Sequence, residues 1–160
     1  MLRRPIVSVF LVCFLVACQR DRQESFYSNL AAAHKDGAVT RGWIPSNLPT
    51  SSRDIREVHN LSPSTEWCSF EFSVADAEAF RTSLKNANMA TLQLPRVPSP
   101  RVSWWPAMMT GTLDAKRIHD DGFDLYRGEA PETSVTTEVS LFAVDWSNGT
   151  AYFYTAPKGD

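Results

Sequence analysis

Three residues in the middle of the chain have side chains that could support nucleophilic catalysis, namely Glu57, His59 and Cys68. A thiol nucleophile needs a neighbouring base and a third group that orients this base. In a regular strand, Glu57 and His59 lie on the same face, where the carboxylate could orient the imidazole ring. Two interpretations stay open. The residues form a thiol- or His-dependent hydrolase site, or a partly exposed hydrogen-bonded pair fixes the sheet beside a small buried cysteine.

A second polar cluster combines one imidazole with three carboxylates, in His119, Asp120, Asp121 and Asp124. Carboxylates and imidazoles are ligands for calcium, zinc and manganese. The segment lacks the ligand spacing of a calcium-binding loop, and two adjacent Asp side chains on an extended chain point apart. The sequence therefore predicts a solvated turn before a strand, with no metal ion or other cofactor.

The aromatic pair Trp104-Trp105, which Pro106 follows, is the candidate for binding a partner. Two adjacent large rings in a proline-bounded segment cannot easily both face one core. One ring could present a flat surface to a glycan, a peptide or a groove of another protein. The alternative is that one ring packs on the sheet and the other covers a neighbouring loop.

The N-terminus has the three zones of a bacterial export signal. Arg3 and Arg4 precede an apolar run that is too short for a membrane-spanning helix, which needs roughly 20 residues. The run ends in Leu15-Val16-Ala17-Cys18, which resembles the bacterial lipobox. The resemblance implies cleavage before Cys18 and acylation of its thiol and its new amino group. We therefore expect a signal peptide at 1–17, a lipid-anchored tether at 18–24 and one globular domain at 25–160.

The lipid on Cys18 predicts a location in the bacterial cell envelope. Several acyl chains, palmitate among them, each contribute about 0.8 kcal/mol per buried CH₂, which is enough for stable attachment to a bilayer. Gln19 follows Cys18, where an Asp would resemble the inner-membrane retention signal of enteric bacteria. This residue favours the outer membrane, on its periplasmic face, over the inner membrane.

The composition of residues 18–160 limits the classes of partner. This part of the chain contains 14 Lys and Arg residues against 18 Asp and Glu residues, without a basic run. That balance argues against a nucleic-acid partner. Of the three cysteines, Cys13 leaves with the signal and Cys18 takes the lipid, so Cys68 cannot form an internal disulfide. The expected partners are the membrane, an envelope protein or a cell-wall component.

The hydrophobic pattern predicts an α+β fold. Apolar spacing indicates helices at 25–34 and 74–85, the second with Ser73 as its N-cap. Alternation and turn residues indicate strands at 54–59, 66–72, 121–127, 136–146 and 151–154. We therefore expect an antiparallel sheet of about four or five strands with two helices packed mainly on one face. The proline-rich segment 94–106 is expected to be an extended connection on the surface.

Many residues of the N-terminal half follow a recognisable order. They include Tyr27, Asp36-Gly37-Ala38, Arg41-Gly42-Trp43-Ile44-Pro45, Leu48-Pro49, Asp54-Ile55, Glu57, His59-Asn60-Leu61, Trp67, Phe70 and Phe72. This pattern resembles small bacterial lipoproteins that have a YbbD-type head domain. The resemblance implies an envelope location and a compact α+β fold, and it supplies no catalytic residues.

Three hypotheses for the function follow from these features. The first is a lipid-anchored, non-catalytic module that binds or inhibits another envelope component through the Trp104-Trp105 segment. The second is the hydrolase that would use Cys68, His59 and Glu57. The third is a purely structural lipoprotein that stabilises an envelope assembly.

Overall fold

A computed structural model describes residues 21–84, 94–128 and 138–157 of the chain. The expected signal peptide and Cys18 lie outside the described residues. The helices are α1 (Leu30–Asp36), α2 (Ala77–Ser83) and α3 (Ala115–Asp120). The strands, in chain order, are β1 (Arg22–Asn29), β2 (Arg53–Leu61), β3 (Ser64–Glu71), β4 (Arg96–Val97), β5 (Gly111–Thr112), β6 (Asp124–Arg127), β7 (Glu138–Asp145) and β8 (Thr150–Pro157).

Six of the strands form one antiparallel sheet in the order β1-β2-β3-β8-β7-β6. The strands β4 and β5 form a separate two-stranded antiparallel sheet. The α+β class and the antiparallel pairing are confirmed. The expected numbers of strands and helices were too low, because the sequence pattern did not reveal β1 as a strand or α3 as a helix.

The strand β1 corrects the prediction of a helix over 25–34. Tyr27 of β1 is buried beside Ile55 of β2, whereas Phe26 is exposed, so this stretch alternates as a strand does. The helix α1 begins only at Leu30, and the side chain of Asn29 caps it by accepting a hydrogen bond from the Ala32 N–H at 2.9 Å. Pairing with β2 therefore overrides the helical spacing of the apolar residues.

The first face of the sheet is covered by α1, α2 and the loop between α1 and β2. Its core contains Ala33 of α1, Phe80 of α2 and, from the strands, Tyr27, Ile55, Cys68, Phe70, Phe142 and Phe153. The Ser73 side chain accepts a hydrogen bond from the Ala75 N–H at 3.3 Å and so caps a chain turn as predicted, but this turn is a short 3₁₀ helix (Val74–Asp76). The helix predicted over 74–85 begins as α2 only at Ala77. The helices α1 and α2 therefore share one face of the sheet, while Ile118 of α3 packs on the other.

The second face of the sheet is covered by the segment between residues 94 and 123. Val97, Trp105, Met109 and Ile118 of this segment are buried against sheet residues that include Val58, Trp67, Leu141 and Tyr154. The Trp67 indole N–H donates a hydrogen bond to the Pro98 carbonyl at 3.0 Å. The segment 94–106 is extended, as predicted, and Arg96, Pro98 and Ser99 are exposed. It is more than a surface connection, because Val97 and Trp105 form part of the second core.

Gly149 ends the turn between β7 and β8 in a conformation that needs glycine. Its φ is +65°, and its carbonyl accepts a hydrogen bond from the Phe72 N–H at 2.7 Å. A Cβ at this position would lie 2.2 Å from the Phe72 carbonyl oxygen. The turn thus contacts the end of β3 too closely for any side chain.

We predict that Gly149→Ala destabilises the domain far more than Gly122→Ala does. Gly122 has a similar positive φ of +90°, but a Cβ there meets nothing within 4 Å, so this variant measures backbone strain alone, about 1–2 kcal/mol. Gly149→Ala should cost a further ~1–3 kcal/mol from the overlap with Phe72. Urea unfolding of both variants measures the difference, and equal losses of stability would show that the overlap does not exist.

Candidate functional site

The three residues first considered for catalysis lie together on the first face of the sheet. Glu57 of β2 is directly opposite Cys68 of β3, and His59 is opposite Glu66. Glu57, His59 and Cys68 are all at most 1% exposed. The regular pairing of β2 and β3 therefore brings the three side chains together, but it places them inside the domain.

Glu57 and His59 form a buried hydrogen-bonded pair. The Glu57 Oε2 atom is 2.9 Å from the His59 Nδ1 atom. The Trp43 ring stacks on the imidazole, with the ring centroids 3.9 Å apart and an interplanar angle of 19°. The predicted pair therefore exists, but the expectation of partial exposure was wrong because the loop after α1 covers His59 with Trp43.

Arg41 and Asp36 hold this covering loop in place. The Arg41 guanidinium lies 3.9 Å from the centre of the Trp43 ring, on the surface of the domain. It also donates hydrogen bonds to the Asp36 carbonyl at 2.8 Å and to the Asp36 carboxylate at 2.7 Å. Arg41, Trp43, His59 and Glu57 thus form a continuous stack from the surface into the core, which we call the Trp43 column.

Asp36 connects the Trp43 column to the first strand. Its carboxylate accepts a hydrogen bond from the Tyr27 hydroxyl at 2.8 Å, in addition to the bond from Arg41. The hydrogen bonds from Tyr27 and Arg41 lower the pKa of the Asp36 carboxyl. Burial raises the pKa of the Tyr27 hydroxyl, and its hydrogen bond to Asp36 raises it further. Asp36 thereby links β1, the end of α1 and the loop that carries Trp43.

Burial controls the electrostatics of Glu57. It raises the pKa of the Glu57 carboxyl, while His59, the neighbouring Ser25 side chain and, least, the positive charge of Arg41 oppose the rise in part. Within the described residues, the buried atoms Glu57 Oε1 and His59 Nε2 have no hydrogen-bond partner. The ionised form of Glu57 is therefore less favourable in the folded domain than in the unfolded chain.

Cys68 is a poor nucleophile in this conformation. Burial raises the pKa of its thiol well above the ordinary value, and the nearby negative charges of Glu57 and Glu66 raise it further. Its sulfur donates a long hydrogen bond of 3.8 Å to the Ser69 carbonyl. Since the thiolate is the reactive form, this site favours the interpretation of Cys68 as a small core residue.

The two residues of the aromatic pair have different surroundings. Trp105 is 7% exposed, and its indole N–H donates to the Met109 carbonyl at 3.2 Å. Trp104 is half-buried, and its indole N–H donates to the Glu24 carboxylate on β1 at 3.2 Å. Only Trp104 reaches the surface, so one ring packs on the sheet while the other lies beside the edge strand β1.

The polar cluster near residue 120 lies at the end of α3 and in the turn to β6. His119 Nδ1 is 3.0 Å from the Asp124 carboxylate, and Lys116 pairs with Asp120 at 2.6 Å on the exposed side of α3. The part of the chain that the structure describes contains no group of three or more His, Cys, Asp or Glu side chains that could hold a metal ion.

A comparison with known protein families identifies the N-terminal part of this fold. Residues 21–71 match the family model described as the YbbD head domain. This segment is a YbbD-type head domain. Neither the curated proteins nor the solved structures gave a match to the chain. No helix within the described ranges is long and apolar enough to cross a membrane.

The head domain contains the complete Trp43 column. The matched residues include the strands β1, β2 and β3 with α1, whereas α2, α3 and β6 to β8 follow outside it. The order of residues that indicated the family includes Asp36, Arg41, Trp43, Glu57 and His59. The residues that carry the resemblance are thus largely those that build the column and the core beneath it.

Sequence reasoning missed two features of this region. The first is the stacking of Trp43 on His59, because no signal in the sequence pairs these two residues. Phe26 was assigned to a helix, although it is 58% exposed on β1. The strand β1 begins at Arg22, before the predicted start of the domain at residue 25, so its alternation was cut short in the sequence pattern.

We predict that the free energy of unfolding of Glu57→Gln rises relative to that of the unmodified chain as the pH increases above about 4.5. A carboxyl with a raised pKa in the folded state supports folding below its unfolded-state value, and this contribution is lost as the pH rises through the folded-state value. The amide of Gln does not titrate, so it does not lose this contribution. Urea unfolding at a series of pH values measures the change.

The exposed residue Glu78 provides the matched control. Glu78→Gln removes a charge of the same sign from the exposed surface of α2 and so controls for the change in net charge. The account of Glu57 would be contradicted if the difference in the free energy of unfolding between Glu57→Gln and the unmodified chain did not change with pH. It would also be contradicted if this difference changed in the opposite direction.

Proposed function

We propose that this protein is a lipid-anchored component of the bacterial cell envelope that acts by binding another envelope protein. The motif Leu15-Val16-Ala17-Cys18 supports the anchor. The strand β1 begins at Arg22, four residues after Cys18, which would hold the domain directly at the membrane surface. Gln19 after the acylated residue supports the periplasmic face of the outer membrane.

The interior of the head domain supports binding over catalysis. A hydrolase that used Cys68 would need an ionised thiol and access for a substrate. Instead, burial raises the pKa of Cys68, and His59 lies beneath Trp43. The three residues of the hydrolase hypothesis therefore act together as core residues in the conformation that the structure describes.

The observation that carries the binding proposal is the outer edge of β1. Within the described ranges, β1 pairs only with β2, so its other edge is unpaired. Phe26 is 58% exposed, and Glu24, two residues earlier on the same strand face, holds Trp104. An unpaired edge supplies backbone hydrogen bonds to an added strand, and neighbouring aromatic rings supply contact area for its side chains. We therefore assign an extended segment of a protein as the partner.

We predict that a photo-crosslinking phenylalanine analogue at Phe26 captures one partner of discrete mass in intact envelopes. The same analogue at Val74 is the matched control, because Val74 is 54% exposed but lies far along the chain, before α2. Trp104→Ser should weaken the capture at Phe26, since the two side chains flank Glu24.

Three outcomes would contradict this part of the proposal. Equal capture at Phe26 and Val74 would indicate non-specific contact. Capture of glycan strands at Phe26 would assign a cell-wall component as the partner in place of a protein. Absence of any adduct at Phe26, together with a change in detergent sensitivity on deletion, would favour a purely structural lipoprotein.

We predict that the mature protein begins at an acylated Cys18 and that Cys18→Ser releases it from the membrane fraction. The reason is that the lipobox-like motif provides both the cleavage site and the thiol that takes the lipid. Mass spectrometry of the N-terminal peptide and flotation of the membranes measure the two effects. An unmodified Cys18, or a variant that remains with the membranes, would overturn the proposed anchor.

A further inference from the structure

We propose that the turn between β2 and β3 contacts the lipid bilayer, with Leu61 inserted among the lipid headgroups. This inference rests on the proposed lipid anchor and specifies how the domain faces the membrane. The turn comprises residues 61–64, between the end of β2 at Leu61 and the start of β3 at Ser64.

The length of the tether places this turn near the anchor. Asp21 follows Cys18 by three positions, so the chain from one residue to the other spans at most about 10 Å. The Asp21 carbonyl accepts a hydrogen bond of 2.9 Å from the Leu61 N–H. The lipidated residue is thus connected to the turn by a short stretch of chain and one backbone hydrogen bond, so an anchored domain cannot hold this turn far from the membrane.

The chemistry of the turn fits an interfacial contact. Leu61 is 53% exposed, and Ser62, Pro63 and Ser64 are exposed and uncharged. An uncharged turn can enter the headgroup region without the cost of removing water from an ion. The leucine side chain gains free energy there by leaving water, as the apolar residues of other interfacial segments do.

Charges of both signs lie beside the turn, namely the exposed Asp21, whose carbonyl binds Leu61, and Arg22. Arg22 pairs with Asn60 in the register of β1 and β2, one residue before Leu61. Its guanidinium lies 4.0 Å from the Glu24 carboxylate and is partly exposed, so it can contact lipid phosphates at the same end of the sheet. Phe26 lies farther along β1, so the edge proposed for partner binding extends away from the bilayer.

The opposite end of the sheet supplies an internal reference. The turn between β7 and β8 contains the exposed residue Ser147 and adjoins the end of β3 that lies away from Ser64. The strand β3 has eight residues, which separates the two ends by about 25 Å. Only one of these two turns can therefore contact the membrane when the sheet stands on it.

The test uses the acylated mature protein in vesicles of phosphatidylethanolamine and phosphatidylglycerol. A fluorophore is attached to Ser62→Cys or to Ser147→Cys, each combined with Cys68→Ala so that one thiol reacts. Lipids with a quencher near the headgroup should quench the label at Ser62 strongly and the label at Ser147 hardly at all. Adding Leu61→Ser to the Ser62→Cys protein should reduce the quenching, whereas Val74→Ser should leave it unchanged.

The outcomes separate this inference from the proposed anchor. The first outcome concerns protein that mass spectrometry shows to be acylated and that floats with the vesicles. If the label at Ser62 is quenched no more strongly than the label at Ser147 in this protein, the inference is overturned and the anchor is left intact. Quenching at Ser62 that Leu61→Ser does not change would overturn the insertion of Leu61. Protein with an unmodified Cys18 would overturn both the anchor and the inference.

Discussion

The hydrogen bond between Glu57 and His59 is the constraint on which the head domain depends. Both side chains point inward on β2, and neither can be buried alone without a large loss of hydrogen bonding to water. Their bond satisfies one atom of each residue, and the Trp43 ring excludes solvent from the imidazole. The loop after α1 must therefore follow a fixed path, which Arg41 and Asp36 secure and which Tyr27 connects to β1.

The sequence predicted those parts of the fold that depend on local periodicity. Strands β2, β3 and β8 follow from alternation and turn residues, and the Ser73 cap follows from its position before a run of helix-forming residues. The prediction failed for β1 because its pairing with β2 is a long-range interaction that helical spacing concealed. The site was predictable as the pair of Glu57 and His59 two residues apart. The cover by Trp43 was not, since stacking of residues 16 positions apart along the chain leaves no periodic signal.

The arrangement of the two cores explains why the surface, rather than the interior, is the place to seek the function. Aromatic and aliphatic side chains fill the first face, and the segment at 94–123 fills the second with Val97, Trp105 and Met109. Because both faces of the sheet are covered, its edges and ends are the surfaces on which other molecules can bind. The edge of β1 presents the exposed Phe26, two residues after the Glu24 that binds Trp104. The end that carries Leu61 is hydrogen-bonded to Asp21, close to the proposed anchor. Partner and membrane would thus contact neighbouring but separate surfaces.

The central claim is that Glu57, His59 and Cys68 form an interior support and not an active site. The reactivity of the Cys68 thiol in the folded protein tests this claim most directly. If the claim holds, a thiol reagent modifies Cys68 only when the domain unfolds, so the rate in native buffer is very low and rises with added urea in step with the unfolded fraction. Rapid modification in native buffer, at a rate that urea below the unfolding transition does not change, would contradict the account and restore the hydrolase hypothesis.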